Sequence, residues 1–312
     1  MIDTILYGDC RSTLKQFADA GVRAQMCVTS PPYYGLRDYG NEDDQIGLEE
    51  SPEEFIAQLV EVFRGVRDVL TDDGTLWVNI GDSYYNYRSG KGQALPKQSV
   101  ASNNQDLPQI RNPRRGNKLA GLKDKDLIGI PWMLAFALRA DGWYLRQDII
   151  WSKPNPMPES MKDRCTKSHE YIFLLSKSKN YYFDVDSIRE PTVDGRDLKR
   201  KRSVWDVTTK PYKGAHFAVY PPELIEPCII AGSRQGDTVL DPFMGSGTTA
   251  AVAKSLNRNY IGCELHQDYS ELIEQRVAEY SKSYSDANQN ILSTAPTNHK
   301  QDKSVGRLTF DS

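Results

Sequence analysis

Thr238-Val239-Leu240-Asp241-Pro242-Phe243-Met244-Gly245-Ser246-Gly247-Thr248-Thr249 is the stretch of this chain that decides its fold. The apolar residues at its start predict a short strand, and a helix is expected to begin near Thr248. Its glycines fit a G-x-G-x-x-A pattern that ends at Ala250, and Glu264 follows roughly 20 residues on. Such glycines let the backbone approach a ligand closely, while the helix N-terminus offers free N–H groups. We therefore expect a nucleotide site, in which Glu264 accepts hydrogen bonds from ribose hydroxyls and a side chain at Gly247 would occupy ligand space.

This segment alone leaves the nature of the ligand open. A nicotinamide-dependent dehydrogenase would use the same glycine pattern. A P-loop is excluded because no Gly-Lys-Ser/Thr follows, and Gly245-Ser246-Gly247 does not fit the G-x-S-x-G turn of a serine hydrolase. A tight turn that packs only against itself is the structural alternative.

Apolar runs and helical patterns alternate on both sides of this segment. Strands are expected at 25–29, 75–80, 144–151, 170–176, 181–185 and 260–264, with 170–176 and 181–185 paired as a hairpin and a turn at 72–74. A helix is expected to begin after Ser51, because Pro52 suits the first helical position and Glu54 completes a capping box. Further helices are expected at 131–140, 222–231 and 269–280. The alternation predicts an α/β fold with a mostly parallel sheet covered on both faces.

A second motif, Thr29-Ser30-Pro31-Pro32-Tyr33, follows the first buried strand, where open α/β sheets place their ligands. The two prolines lack N–H donors, so Ser30 and the nearby carbonyls form a cluster rich in acceptors. Such a cluster suits an NH₂ group, and Tyr33 offers an aromatic platform. Hydrogen bonds accepted from both N–H groups of an exocyclic amine would favour a pyramidal nitrogen whose lone pair can attack a methyl sulfonium. The alternative is a rigid Pro-Pro turn with a capping serine.

Composition places the 312-residue chain among ordinary globular proteins, at 39% hydrophobic and 26% charged residues. No apolar run approaches the ~20 residues of a membrane span, and no signal peptide is evident at the N-terminus. The five cysteines are scattered without a C-x-x-C pair, which favours the reducing cytoplasm and argues against disulfides and a metal site.

Basic residues are concentrated in two segments, although the net charge of −3 gives no overall attraction to nucleic acid. The first, 86–126, lacks any hydrophobic period, and a loop of ~40 residues inside a compact domain is usually functional or disordered. The second is Arg196 together with the run Lys199-Arg200-Lys201-Arg202. Taken alone, either segment could be a solvated loop.

Together these motifs resemble the N4-cytosine/N6-adenine amino-methyltransferase family of DNA-modifying enzymes, in the permuted order where the catalytic motif precedes the cofactor motif. The resemblance covers about residues 5–280. It is carried by Tyr7-Gly8-Asp9, Thr29-Ser30-Pro31-Pro32-Tyr33, Trp151-Ser152-Lys153-Pro154-Asn155, His216-Phe217-Ala218-Val219-Tyr220-Pro221, and residues 241–249 with Glu264. It implies a Rossmann-like, S-adenosylmethionine-dependent methyltransferase fold with inserted DNA-recognition segments.

The resemblance also implies roles for individual residues. Asp9 would contact the adenine of S-adenosylmethionine, Glu264 would hold its ribose, and 216–221 would close its methionine side. The remaining cofactor residues would be Thr29, His216, Asp241, Phe243, Gly245, Gly247, Thr248 and Thr249. Ser30 and the carbonyl of Pro31 would hold the target amine, beside Pro32, while Tyr33 stacks on the flipped base. The DNA contacts would be Arg114, Arg115, Lys153, Lys201 and Arg202.

The implied organisation is one methyltransferase domain, 1–280, with a mobile basic loop at 86–126 and a target-recognition region at 155–213. A disordered tail is expected at 281–312. Double-stranded DNA is the expected partner, and a cognate restriction endonuclease is a further candidate. Because the catalytic motif begins with Ser30 rather than aspartate, the resemblance favours cytosine N4 as the methylated atom, with adenine N6 as the alternative.

Four other functions compete with this interpretation. A C5-cytosine methyltransferase needs a cysteine nucleophile, which Pro227-Cys228 superficially offers, but Cys228 falls in an apolar helical run and is expected to be a packing residue. An RNA or protein amino-methyltransferase would use similar chemistry. An inactive DNA-binding specificity protein would not need intact motifs at 30–33 and 245–247. A dehydrogenase would bind a nicotinamide cofactor instead.

Overall fold

One eight-stranded sheet organises the part of the chain that this computed structural model describes, which is residues 1–35, 45–85, 121–209 and 220–280. The strands are β1 (Thr4–Tyr7), β2 (Ala24–Thr29), β3 (Leu70–Ile80), β4 (Tyr144–Ser152), β5 (His169–Ser176), β6 (Glu190–Pro191), β7 (Leu198–Lys199), β8 (Val204–Asp206), β9 (Thr238–Asp241) and β10 (Asn259–Glu264). The helices are α1 (Cys10–Asp19), α2 (Pro52–Val69), α3 (Ile130–Ala140), α4 (Pro222–Gly232), α5 (Thr248–Ser255) and α6 (270–280).

The strand order in the sheet is β1-β10-β9-β2-β3-β5-β4-β8. Neighbouring strands run parallel except at β5, which is antiparallel to both β3 and β4. The predicted mostly parallel sheet is therefore confirmed. Strands β6 and β7 form a separate two-stranded ribbon within the region 155–213.

Both faces of the sheet are covered, as predicted. Side chains alternate along β2, so Cys27 packs with the cluster formed by α1, α2 and α3, whereas Met26 and Val28 pack with α4 and α5. Helix α2 has the predicted capping box, in which the backbone N–H of Glu54 donates to Ser51 Oγ at 3.2 Å. None of the helices among the described residues has the length and apolar character to cross a membrane.

The hairpin predicted for 170–176 and 181–185 is wrong in its second strand. Both edges of β5 are already paired, with β3 and with β4, so residues 181–185 form no strand. Instead, the ring of Phe183 stacks on Trp77 with centroids 6.0 Å apart. The turn expected at 72–74 lies inside β3, where the pairing shifts from Ala24 opposite Leu70 to Met26 opposite Thr75.

Helix α1 is not predicted by the sequence patterns, because few of its residues are apolar. Only Cys10, Leu14 and Phe17 bury hydrophobic side chains from it. Its N-cap is Asp9, whose carboxylate accepts hydrogen bonds from the backbone N–H groups of Arg11 and Ser12 at 2.8 and 3.2 Å.

Candidate active site

The carboxyl ends of the adjacent strands β2 and β9 bring the two predicted motifs into one cleft. This cleft is a cavity of about 530 Å³. The predicted site residues that line it are Asp9, Ser30, Pro31, Pro32, Tyr33, Lys153, Phe243, Gly245, Thr248 and Glu264. The motifs at 29–33 and 241–249 therefore share a ligand space, as the sequence analysis expected.

Asp241 joins the two motifs through hydrogen bonds to both. It is 1% exposed, and its Oδ1 accepts hydrogen bonds from Thr29 Oγ1 at 2.6 Å and from the backbone N–H of Phe243 at 3.0 Å. Its Oδ2 accepts from the hydroxyl groups of Tyr220 and Thr249. Burial raises the pKa of Asp241, and these donors partly oppose that rise. Thr29, Thr249 and Asp241 thus fix the backbone around the cavity without lining it.

Glu264 and Thr248 place polar atoms at the other end of the cavity. Glu264 accepts from the backbone N–H groups of Gly245 at 2.7 Å and His266 at 3.0 Å, while burial raises its pKa to about 7. Thr248 is 3% exposed, and its Oγ1 has no hydrogen-bond partner among the described residues. A buried hydroxyl without a partner is costly, so this end of the cavity suits a polar ligand.

Gly247 lies close against a neighbouring helix. Its φ of +82° is in the left-handed region, and a Cβ placed on it would lie 2.8 Å from Cγ2 of Ile273 in α6. The expectation that a side chain here would fill ligand space is wrong, because the crowding is with a helix rather than with the cavity. Gly247 is needed for the turn and for close packing of α6.

The catalytic motif is held through the hydroxyl of Tyr33. This hydroxyl donates to Glu170 Oε2 at 2.5 Å. Burial and the neighbouring carboxylate raise the pKa of Tyr33 well above its usual value. A Cβ placed on Gly81 would lie 2.8 Å from Cε2 of Tyr33, so the ring is also confined from the end of β3.

Asn79 and Glu170 are cavity residues that the sequence analysis missed. Asn79 Nδ2 donates to Glu170 Oε2 at 3.1 Å and to the carbonyl of Tyr171 at 3.2 Å. Their positions near the ends of neighbouring strands could have indicated both residues. Asn79 is the last residue but one of a parallel strand, and Glu170 is the second residue of an antiparallel one, so both reach the same edge of the sheet.

Lys153, which the resemblance assigns to DNA, lies in the cavity wall. Its ammonium group forms an ion pair with Glu170 and is 4.4 Å from the centroid of the Trp151 ring. Lys153 thus helps to hold Glu170, the carboxylate that binds the Tyr33 hydroxyl. Any contact of Lys153 with DNA would occur inside the cavity rather than on an outer surface.

Of the other predicted DNA contacts, Arg114 and Arg115 lie outside the described residues, as does the predicted cofactor residue His216. Lys201 lies 5.0 Å from the Trp205 ring centroid. Arg202 Nε donates to Glu190 at 2.8 Å, with 70% of its side chain exposed. Their segment is attached to the sheet by β8, in which Trp205 pairs with Trp151 of β4.

Cys228 is a packing residue, as predicted. It is 0% exposed within α4, and burial raises the pKa of its thiol strongly. A thiol with these properties is a poor nucleophile, which argues against a C5-cytosine mechanism at this position. No group of three or more potential metal ligands occurs in the described part of the chain.

The fold and the shared cleft define a Rossmann-like methyltransferase. The chain belongs to the N6/N4 DNA methylase family, whose model, described as DNA methylase, matches residues 24–275. The type II methyltransferase M.Cfr9I of Citrobacter freundii is 50% identical over 279 residues, covering 88% of this chain and 87% of that protein.

Two solved structures show the same fold. The putative DNA modification methylase TTHA0409 from Thermus thermophilus, complexed with S-adenosyl-L-methionine, has a TM-score of 0.58 and 25% identity, covering 89% of this chain and 94% of that one. The cytosine-N4-specific PvuII DNA methyltransferase has a TM-score of 0.61 and 17% identity, covering 93% and 92%.

Proposed function

We propose that this chain transfers a methyl group from S-adenosylmethionine to the N4 amine of a cytosine flipped out of double-stranded DNA. The observation that carries the proposal is the shared cavity, which Ser30 and Tyr33 line together with Phe243, Gly245 and Thr248 of the cofactor segment. An amine held by the first motif would therefore face a methyl donor held by the second.

The residues at the β9 and β10 end fit the cofactor. S-adenosylmethionine, when bound, supplies an electrophilic methyl group on a sulfonium. The hydroxyl of Thr248, which has no partner among the described residues, can hydrogen-bond a polar group of the cofactor. Glu264 can accept hydrogen bonds from the ribose hydroxyls, and its raised pKa reflects a carboxylate already buried at the site. Asp241 holds the backbone of Phe243 in place beneath them.

The residues at the β2 end fit an aromatic amine. Pro31 and Pro32 contribute no N–H donors, so the polar atoms that this motif offers beside Ser30 are acceptors. Hydrogen bonds accepted by Ser30 Oγ and the Pro31 carbonyl would pull the amine nitrogen toward a pyramidal geometry and expose its lone pair. Tyr33, fixed by Glu170, would stack on the extruded base.

Serine at position 30 supports cytosine N4 over adenine N6, the alternative target. We further propose that the methylation protects DNA from a cognate restriction endonuclease in the cytoplasm. The similarity of this chain to the type II methyltransferase M.Cfr9I, at 50% sequence identity, supports this partner.

One experiment tests the proposal directly. The purified protein is incubated with double-stranded DNA and S-adenosylmethionine, and the digested nucleosides are analysed by mass spectrometry while sequencing maps the modified sites. We expect N4-methylcytosine at one recognition sequence. Detection of N6-methyladenine would identify adenine N6 as the target instead. Detection of 5-methylcytosine, or of no modified base, would contradict the proposal. Single-stranded RNA is the control substrate and should stay unmodified.

A further inference from the structure

One exposed methionine lies at the entrance of the cavity. Met157 is 83% exposed to solvent and also lines the cavity. The other strongly exposed large hydrophobic residues in the described part of the chain, such as Met161 and Val193, do not line it. Single exposed hydrophobic side chains are ordinary on protein surfaces, so the place of Met157 at the entrance is what indicates a role.

Prolines on both sides restrict the backbone that carries Met157. In the run Pro154-Asn155-Pro156-Met157-Pro158, each proline fixes its own φ and keeps the preceding residue out of helical conformations. The run is held at Asn155, whose side chain donates to the carbonyl of Thr209 and accepts from the Thr209 N–H, both at 2.9 Å. Met157 therefore has little backbone freedom to lose when it meets a ligand.

The chain beyond Met157 is also held in place. The guanidinium of Arg164 lies 3.7 Å from the centroid of the Tyr84 ring. Next to it, Asp163 Oδ2 forms an ion pair with Lys125 Nζ at 2.6 Å. The exposed Lys162 in the same stretch adds a cation that suits a nearby DNA phosphate. Met157 thus projects into solvent from a segment that is fixed on both sides of it.

We propose that Met157 enters the double helix when the target cytosine flips out, and packs between the bases that the cytosine leaves behind. The inference rests on the proposed function, because it requires a base extruded from duplex DNA into this cavity. Extrusion removes a stacking partner from the neighbouring bases and opens a gap in the duplex. The unbranched, polarisable side chain of methionine adapts to such a gap, and apolar side chains act as wedges between base steps in other DNA-binding proteins. The exposed surface of Met157 is buried only in that state, so its burial stabilises the flipped state over the stacked one.

The test compares Met157→Ala with the wild-type enzyme on two duplexes. One duplex has guanine opposite the target cytosine, and the other has adenine there, so that its cytosine is weakly paired and costs less to extrude. On the matched duplex, Met157→Ala should bind DNA about tenfold more weakly, because the gap is left unfilled. Pyrrolocytosine at the target position should also give a smaller fluorescence rise. On the mismatched duplex, the affinity of the variant should stay within about threefold of the wild-type affinity for that duplex.

Two further variants serve as controls. Met161→Ala removes another exposed methionine from the same segment, one that does not line the cavity, and should match the wild type on both duplexes. Met157→Leu keeps an apolar side chain of similar volume and should retain most of the affinity for the matched duplex. In all three variants the affinity for S-adenosylmethionine should equal that of the wild type.

The comparison of the two duplexes separates a wedge from other roles of Met157. An equal loss of affinity on both would overturn the inference, because Met157 would then contact the flipped base itself. Wild-type affinity of Met157→Ala for the matched duplex would overturn it as well, and so would a parallel loss of cofactor affinity, since Met157 would then support the cavity. None of these results would affect the proposed function, which fails if the wild-type enzyme leaves duplex DNA unmodified.

Discussion

Two carboxylates, Asp241 and Glu170, lie at the same edge of the sheet in contrasting surroundings. Asp241 is 1% exposed and accepts hydrogen bonds from three hydroxyl groups and one backbone N–H. Glu170 keeps 14% of its side chain exposed, lines the cavity and forms an ion pair with Lys153. The difference indicates that the first carboxylate holds two chain segments together, whereas the second is placed to act on what enters the cavity.

The largest expected effect concerns stability. Asp241→Ala would leave the Phe243 N–H and three hydroxyl groups without their acceptor in the interior, so we expect a loss of about 3 kcal/mol in the free energy of unfolding. Glu170→Ala should cost less, about 1–2 kcal/mol, because its partners Tyr33, Asn79 and Lys153 line a cavity rather than the closed interior. Denaturant titration measures both values, with Asp241→Asn as the control that retains one acceptor oxygen. Equal losses for the two alanine variants would remove the distinction between the carboxylates.

A comparable effect on stability is expected at the turn after β9. Gly247→Ala would place a methyl group 2.8 Å from Ile273 in a left-handed conformation, at a combined cost of roughly 2–4 kcal/mol. Gly236 has an almost identical φ of +84° but nothing within 4 Å of the position that a Cβ would take, so Gly236→Ala should cost only ~1–2 kcal/mol. Unfolding midpoints of the two variants measure the difference. If they are equally stable, the packing of α6 on Gly247 contributes nothing.

Cofactor affinity should depend on pH through Glu264. Burial raises its pKa to about 7 in the free protein, and the ionised form is the better acceptor for ribose hydroxyls. Affinity should therefore rise as pH rises, by up to about tenfold between pH 6 and pH 8. The stability of the free protein should change in the opposite direction, because a raised acid pKa gives stability at low pH that is lost as pH rises through about 7.

Calorimetric titration at both pH values checks the prediction for Glu264. The Glu264→Gln variant should bind more weakly and without this pH dependence. If wild-type affinity were the same at pH 6 and pH 8, Glu264 would have no part in binding the cofactor.

The smallest effect is expected in the recognition segment. Arg202 is largely exposed, so a contact with one phosphate would add about one unit to the salt dependence of DNA binding. Arg202→Ala should reduce the slope of log affinity against log salt by that amount. Lys15→Ala, at an exposed ion pair on α1, should leave the slope unchanged. If Arg202→Ala kept the wild-type slope of log affinity against log salt, the Arg202 guanidinium would pair with Glu190 without contacting DNA.

The sequence predicted the cofactor cluster better than the support of the catalytic motif. Residues 241–249 are contiguous, and Glu264 follows at a distance set by one helix and one strand, so a local pattern captures them. Even there, the close approach of Ile273 to Gly247 depends on the packing of α6, which no local pattern encodes.

The support of Tyr33 comes from strands far apart in the sequence. Asn79 lies near the end of β3 and Glu170 near the start of β5, and the antiparallel pairing of these strands brings the two side chains together. The sequence patterns suggested a hairpin partner at 181–185 for that strand, and so gave no indication that its first residues lie beside the catalytic motif. Strand pairing over long separations is a tertiary property, which explains why Ser30 and Tyr33 were predicted but their supporting residues were not.

The central claim is that the two motifs divide the work, one binding the methyl donor and the other the amine. Ser30→Ala tests it most directly, with single-turnover methyl transfer and cofactor affinity measured on the same preparation. We predict that transfer falls about 100-fold or more while the affinity for S-adenosylmethionine changes less than about threefold. Equal losses in both quantities would contradict the account, because Ser30 would then support the fold of the cleft rather than the target amine.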